Sequence, residues 1–123
     1  MKMIYLSGPI TGREMWEVKQ HFQEVGVEVR RQAAKYTDEK VEVWDPSRIS
    51  DSDFSWETYM KLAREILQDP KISAVCMMKG WEYSKGCLIE LMWARALGLP
   101  TIYEPGAMRA DVSFLKQQPM ERA

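Results

Sequence analysis

The chain has 123 residues, of which 46% are apolar and 28% are charged, and its formal net charge is −1. This length and composition predict a single globular domain over residues 1–123. The balanced charge gives no electrostatic basis for a nucleic acid polymer or an anionic membrane as the partner. No apolar run approaches the roughly 20 residues of a membrane span. The N-terminus enters a strand pattern at once, so we expect no signal peptide and a cytoplasmic location.

The first half of the chain alternates short apolar strands with one long helix. Residues 3–7 are apolar and stop at Gly8, which predicts a buried strand feeding a tight turn. Apolar residues recur at steps of three and four between 13 and about 34, which predicts a helix. Gly26 weakens its middle and favours a shorter or split helix. These apolar residues form one stripe on the helix, made of Met15, Val18, Phe22, Val25 and Val29. We expect the stripe to face the core or a second subunit. A second short strand follows at Val41, Val43 and Trp44.

The second half continues the alternation around a central strand. Ile72–Met78 is a continuous apolar run, as expected for a parallel strand covered on both faces. Ser55 or Asp53 can cap the helix before it, and Gly98 is suited to end the helix after it. The predicted elements of this half are a helix over 56–68, a strand over 72–78, a helix over 85–97, a strand over 99–103 and a short helix around 112–116.

This order predicts an α/β fold with a parallel sheet and helices on both faces. In such sheets ligands bind outside the carboxyl ends of the strands, near the switch in strand order. The turn over 5–12 and the helix that carries Glu90 both begin at strand carboxyl ends. We therefore expect the functional site where these two segments meet.

Glu90 is the single charged residue in the apolar run 87–94. Gly86, one helical turn earlier on the same face, leaves space beside its carboxylate. Burial would raise the pKa of this carboxyl group, and carboxylates tuned in this way are frequent catalytic groups. A structural glutamate paired with an arginine or lysine explains the pattern equally well.

Two loops carry further candidate groups. The turn over 7–12 offers backbone N–H groups to an anion or a sugar hydroxyl, although an ordinary tight turn has the same pattern. Ser84 stands where a helix cap is needed, and its hydroxyl is also suited to hold a phosphate. Trp81 and Tyr83 present aromatic faces to a nucleobase, unless Trp81 is a lid over the core. Three more carboxylates are candidates for proton transfer unless they are simply solvated: Glu65, Asp69 and Asp45.

The two cysteines, Cys76 and Cys87, lie in apolar patterns and are expected to be buried free thiols. The one histidine, His21, is expected on the surface of a helix rather than as a catalytic base. No metal-ligand spacing is present, so neither a metal nor another cofactor is expected.

Taken together, four blocks resemble the nucleoside 2-deoxyribosyltransferase-like superfamily, and more closely a small family within it that is frequent in phages and prophages. The blocks are Tyr-Leu-Ser-Gly-Pro-Ile-Thr-Gly at 5–12, Trp-Asp-Pro at 44–46, Gly-Trp-Glu-Tyr-Ser-Lys-Gly-Cys-x-x-Glu at 80–90 and Ala-Leu-Gly-Leu-Pro at 96–100. The resemblance implies a flavodoxin-like, Rossmann-like three-layer sandwich with four or five parallel strands. It also implies cleavage of the N-glycosidic bond of a (deoxy)nucleoside or its 5′-monophosphate.

Residue by residue, the resemblance makes Glu90 the nucleophile and Tyr5 the residue that orients it. Ser84 matches a serine that touches the 5′-phosphate in the nucleotide N-glycosidase branch, where base-exchanging transferases have an aspartate. This favours a hydrolase acting on a nucleoside 5′-monophosphate, with a deoxyribosyltransferase as the other enzyme reading. The predicted substrate-binding residues are Ser7, Gly8, Pro9, Ile10, Thr11, Gly12, Asp45, Trp81, Ser84 and Gly86.

The acid that protonates the leaving base is where the chain departs from the superfamily pattern. The expected aspartate of the second helix is matched by Glu65, and Ser73 stands at another usually acidic position. A non-catalytic nucleotide-binding module therefore remains an alternative, and so does an interaction protein that uses the apolar helix stripe. Members of the superfamily complete their sites across subunit contacts, so a homodimer or larger assembly is expected.

Overall fold

The structure is a computed structural model that describes residues 2–49 and 55–110. The predicted short helix around 112–116 and the cap candidate Asp53 lie outside these residues. The strands are β1 (Lys2–Ser7), β2 (Val41–Trp44), β3 (Ile72–Met77) and β4 (Thr101–Tyr103), and the helices are α1 (Met15–Ala33), α2 (Trp56–Leu67) and α3 (Lys85–Ala96).

The four strands form one parallel sheet in the order β2-β1-β3-β4. The chain leaves β1 toward β2 and returns to β3 on the other side, so the switch in strand order falls between β1 and β3. There Ser7 pairs with Met77 at the carboxyl ends of both strands. The α/β class and the parallel sheet predicted from the sequence are confirmed.

The helices cover the two faces of the sheet as the alternation of side chains in β1 requires. Tyr5 belongs to the core cluster formed with α2 and α3, whereas its neighbour Leu6 belongs to the cluster formed with α1. Both side chains are fully buried. The resulting three layers place α1 on one side and α2 with α3 on the other.

Helix α1 corrects one sequence expectation and confirms another. It runs without a break through Gly26. An added Cβ at this position would lie 3.2 Å from Cγ2 of Val43, so the glycine allows α1 to approach β2 closely. The apolar stripe is buried against the sheet apart from Met15, which is 37% exposed. The stripe faces the core, which is one of the two placements that the sequence predicts for it.

Helices α2 and α3 both begin at capping serines on the carboxyl edge of the sheet. The Ser55 hydroxyl accepts a hydrogen bond from the Thr58 amide at 3.1 Å, and the Ser84 hydroxyl accepts one from the Cys87 amide at 3.2 Å. The predicted cap roles of these serines are confirmed. In the part of the chain that the structure describes, none of the helices has the length and apolar composition to cross a bilayer.

Candidate active site

A buried carboxylate, Glu90, joins α3 to the carboxyl end of β1. Glu90 is only 3% exposed. The Ser7 hydroxyl donates to Oε1 at 2.7 Å, and the Tyr5 hydroxyl donates to Oε2. Tyr5 and Ser7 are two residues apart on one strand, so both project from the same face of the sheet. These two hydrogen bonds join the end of β1, directly before the first turn, to the helix that carries Glu90.

The hydrogen-bond partners of Glu90 are neutral hydroxyls, and no ion pair of Glu90 is found among the described residues. The hypothesis that Glu90 is a structural glutamate paired with an arginine or lysine is therefore not supported by the described residues. Burial raises the pKa of Glu90 from 4.5 to about 7, against the opposing effect of the Tyr5 and Ser7 hydrogen bonds. Glu90 is therefore poised between its acid and base forms near neutral pH.

A cavity of about 160 Å³ opens in front of this carboxylate. It lies at the switch between β1 and β3, between the turn after β1 and the first turns of α2 and α3. The described residues that line it are Gly8, Ile10, Thr11, Ser55, Trp56, Tyr59, Met60, Ser84, Gly86, Cys87 and Glu90.

Two helix N-termini converge on this cavity. Ser55 and Trp56 bring the start of α2, and Ser84 and Gly86 bring the start of α3. Both ends carry the positive pole of a helix dipole, so the two together favour an anion. The space beside Gly86 is tight, because an added Cβ there would lie 3.3 Å from Sδ of Met60. The missing side chain lets α2 approach α3 and shapes the cavity wall.

Tyr59 is a cavity residue that the sequence motifs do not mark. Burial, followed by the nearby Glu90 charge, raises the pKa of Tyr59 well above its usual value. Its hydroxyl therefore stays protonated, and it is hydrogen-bonded to Tyr5, which donates to Glu90. The signal for it was the shared face of Trp56, Tyr59 and Met60, at helical spacing on α2. Only the packing of α2 on α3 brings that face to the carboxylate.

The turn after β1 divides its predicted residues. Gly8, Ile10 and Thr11 line the cavity, whereas Pro9 and Gly12 are not among the described lining residues. Gly12 has a φ of +82°, a left-handed conformation that suits glycine, so its role is to close the turn.

Trp81 takes a structural position instead of the predicted substrate contact, and Asp45 caps a turn. Trp81 is fully buried in the core, and its indole Nε1 donates to the Met108 carbonyl oxygen at 2.8 Å. The prediction that Trp81 stacks on a nucleobase is therefore wrong, and its other predicted role, covering the core, is the one that the structure shows. The Asp45 Oδ1 accepts from the Ser47 amide at 2.9 Å and caps a short 3-10 turn.

The predicted proton donors also lie elsewhere. Glu65 is exposed on α2 and is not among the described residues around the cavity, because it faces away from the side that carries Tyr59. Asp69 is exposed, and its Oδ1 accepts from the Lys71 amide at 2.8 Å. This corrects the assignment of Glu65 as the acid within one subunit. Among the described lining residues, Glu90 is the one carboxylate.

The cysteines are buried free thiols, as the sequence predicts. Cys87 lines the cavity, but burial and the neighbouring Glu90 raise the pKa of its thiol to about 12, so it is a poor nucleophile. Residues 2–49 and 55–110 contain no group of three or more histidine, cysteine, aspartate or glutamate side chains placed to hold a metal ion.

Comparison with known proteins gives a family but no function. A family model described as "Domain of unknown function (DUF4406)" matches residues 2–103. This span runs from the start of β1 to the end of β4 and includes Tyr5, Ser7 and Glu90. Searches of curated proteins and of solved structures found no match.

Proposed function

We propose that this chain, which belongs to the DUF4406 family of domains of unknown function, cleaves the N-glycosidic bond of a (deoxy)nucleoside 5′-monophosphate. Glu90 is the nucleophile in this proposal. The observation that carries it is the buried Glu90 carboxylate, held by the Tyr5 and Ser7 hydroxyls at the wall of a cavity. The resemblance to the nucleoside 2-deoxyribosyltransferase-like superfamily, which assigns the same roles to Glu90 and Tyr5, supports it.

The chemistry follows from one carboxylate facing a sugar. In its ionised form Glu90 attacks C1′, the bond from C1′ to the base nitrogen breaks, and the base leaves with that electron pair and takes up a proton. Water then attacks C1′ of the glycosyl-enzyme and gives a proton back to the group that protonated the base, while the bond to Glu90 breaks to restore the carboxylate. Because the transition state resembles an oxocarbenium ion, an anion close to C1′ stabilises it. Transfer of the sugar to a second base would use the same intermediate.

The phosphate is proposed from the electrostatics of the cavity. The N-termini of α2 and α3 both reach it, and the Ser84 hydroxyl lies at the start of α3. A cavity of about 160 Å³ is smaller than typical ligand sites of about 300–1,000 Å³. We propose that it encloses the sugar, while the phosphate meets the helix ends and the base lies toward Trp56, which is 38% exposed.

The proton for the leaving base is proposed to come from a second copy of the chain. Glu90 serves as the nucleophile, and the described cavity residues of one subunit include no other carboxylate. The superfamily resemblance implies sites that are completed across subunit contacts. A homodimer or larger assembly would therefore supply the missing acid.

The same observation favours a second candidate function. A nucleotide-binding module needs no proton donor, so a cavity with one carboxylate also suits a protein that holds a nucleotide without cleaving it. This alternative keeps the anion-favouring helix ends and assigns Glu90 to recognition of the sugar.

One experiment separates these functions. The protein is incubated with deoxyribonucleoside and ribonucleoside 5′-monophosphates and with the matching unphosphorylated nucleosides, and free base is measured by chromatography. Release of base from a monophosphate in preference to its nucleoside supports the proposal. A rise in melting temperature with a nucleotide but no released base supports the binding module. Neither effect with any compound contradicts both.

A further inference from the structure

A second polar cluster lies behind the cavity turn, on the α1 side of the sheet. The His21 Nε2 lies 2.7 Å from Oε1 of Glu104, and the two side chains are 17% and 14% exposed. The His21 Nδ1 lies 3.3 Å from Nη1 of Arg13. The expectation that His21 is a surface residue is therefore corrected, because two distant segments converge on its ring.

The donors and acceptors define the form of the ring. The Arg13 guanidinium only donates, so the His21 Nδ1 accepts from it and the ring proton sits on Nε2. That Nε2–H donates to the Glu104 carboxylate, which also accepts from the Lys79 amide at 2.8 Å. This chain of hydrogen bonds therefore links Arg13, the His21 ring, Glu104 and the Lys79 amide.

Arg13 connects this chain to the cavity turn. The same Nη1 atom donates to the Pro9 carbonyl oxygen at 2.8 Å. Pro9 also packs against the turn after β3, where an added Cβ on Gly80 would lie 3.2 Å from its Cγ. The turn is held from behind at Pro9, while its next residues, Ile10 and Thr11, line the cavity.

We propose that His21, acting through Arg13, is a positioning residue that holds the turn over residues 8–12 in the shape that lines the Glu90 cavity. It touches neither the cavity nor the reacting atoms, so its action is indirect. The effect on substrate rests on the proposed function, whereas the effect on the turn does not.

Protonation of His21 tests this role because it changes one contact and keeps the other. A doubly protonated ring turns Nδ1 into a donor that faces the Arg13 guanidinium, so that hydrogen bond is lost and two positive charges meet. The contact with Glu104 remains and gains charge. The other charged groups near the ring are Glu17 and Glu24, one turn away on its own helix, and the Lys79 contact with Glu104 is made by the uncharged backbone amide.

Two substitutions separate the two ring nitrogens. His21→Asn places an amide oxygen near the position of Nδ1 and can keep the Arg13 contact. His21→Gln reaches toward the position of Nε2, keeps a donor for Glu104 and removes the acceptor for Arg13. The proposal predicts that the Asn variant retains the turn and that the Gln variant does not.

The first measurement is an NMR titration of the full chain without any ligand. Because the chain has one histidine, its ring nitrogens give one set of signals. We expect the proton on Nε2 at high pH, and we expect the amides of residues 10–12 to titrate with the midpoint of the ring. In His21→Asn these amides should keep their high-pH positions without titrating, and in His21→Gln they should be displaced. A proton on Nδ1, or turn amides that do not follow the ring, would overturn the proposal.

The second measurement is made if base release is observed. His21→Gln should raise KM by about 3- to 10-fold with kcat changed less than about twofold, since only a substrate-binding turn is displaced, and His21→Asn should restore KM. Equal KM values in the two variants contradict the positioning role. Failure of the proposed function is distinguishable, because it would abolish base release in the unsubstituted protein while leaving the NMR result intact.

Discussion

Two largely buried carboxylates, Glu90 and Glu104, lie at the same edge of the sheet on opposite faces. Glu104 accepts from the His21 ring and from the Lys79 amide, at 2.7 and 2.8 Å. Glu90 has two neutral hydroxyls as partners, and burial raises its pKa to about 7. Glu104, which is paired with a histidine, ties turns together, whereas Glu90, which has no basic partner among the described residues, is suited to chemistry. Burial alone does not distinguish them.

The cavities on the two faces lead to the same conclusion. A groove of about 590 Å³ lies between α1 and β4, much larger than the Glu90 cavity of about 160 Å³. Its lining is mainly apolar, and one of its carboxylates, Glu28, is held at 2.7 Å by the Arg31 guanidinium on the surface. The groove is the larger space, but the smaller cavity is the one that contains Glu90, so it is the candidate active site.

The largest expected effect is on catalysis. Glu90→Gln removes the nucleophile but keeps the shape of the side chain, so base release should fall about 10,000-fold or more, as for other covalent catalysts. The measurement is the initial rate of base release, followed by chromatography.

Glu104→Gln is the matched control on the other face. It should lower the same rate by less than about tenfold, since it affects only the support of the cavity turn. Similar losses in the two variants would break the distinction between the two carboxylates.

The next effect is on stability. Because the pKa of Glu90 rises from 4.5 to about 7 on folding, the native state binds more protons than the unfolded state between these values. The contribution of Glu90 to the free energy of unfolding is therefore largest below about pH 4.5 and falls by roughly 3 kcal/mol as the pH rises to 7.

Denaturant unfolding at several pH values measures this contribution. Glu90→Gln should remove it and so be more stable than the unsubstituted protein at pH 8. An unchanged pH dependence in this variant would contradict a buried, easily protonated carboxylate.

Removing one hydroxyl should have a smaller effect. Tyr5→Phe deletes a hydrogen bond to the Glu90 carboxylate, which costs kcat/KM about 10- to 100-fold. The Tyr5 hydrogen bond lowers the pKa of Glu90, so the variant should also shift the rising limb of the pH–rate profile to higher pH. A profile with an unmoved midpoint would indicate that Tyr5 does not act on the Glu90 charge.

The smallest expected effect is on phosphate recognition. Ser84→Ala should raise KM for a monophosphate about tenfold, the loss of one charge-assisted hydrogen bond, and leave KM for the nucleoside unchanged. It also costs about 1 kcal/mol of stability through the lost helix cap. Ser55→Ala loses a cap of the same kind at the start of α2, so its melting temperature calibrates that stability cost. An equal rise in KM for the nucleoside and the monophosphate would contradict a contact between Ser84 and the phosphate.

The sequence predicted the fold because its signals are local. Apolar runs, turn residues and capping serines such as Ser84 act within a few positions of one another, and their alternation leaves few topologies. Glu90 was also visible in this way, as a charge inside an apolar helix. That the segment after β1 meets its helix followed from the rule that sites form at strand carboxyl ends. The role of Tyr5 was implied by the superfamily resemblance, and the Ser7 contact was not predicted.

The remaining features depend on packing between distant segments. Tyr59 lines the same cavity as Glu90 only because α2 packs on α3 beside Gly86. Trp81 is buried because the segment after β4 supplies the Met108 carbonyl oxygen for its indole. Glu65 matched the superfamily by spacing, but spacing along α2 does not fix which side of the helix meets the cavity.

The central claim, that Glu90 is a nucleophile, is tested most directly by trapping the glycosyl-enzyme. A nucleoside 5′-monophosphate that carries fluorine at C2′ destabilises the oxocarbenium-like transition states and slows release of the intermediate. After tryptic digestion, Glu90 is the one carboxylate side chain between Lys85 and Arg95. Mass spectrometry should find the fluorinated sugar phosphate on that peptide and not on the same peptide of Glu90→Gln. Release of base with the adduct on another peptide would contradict the claim.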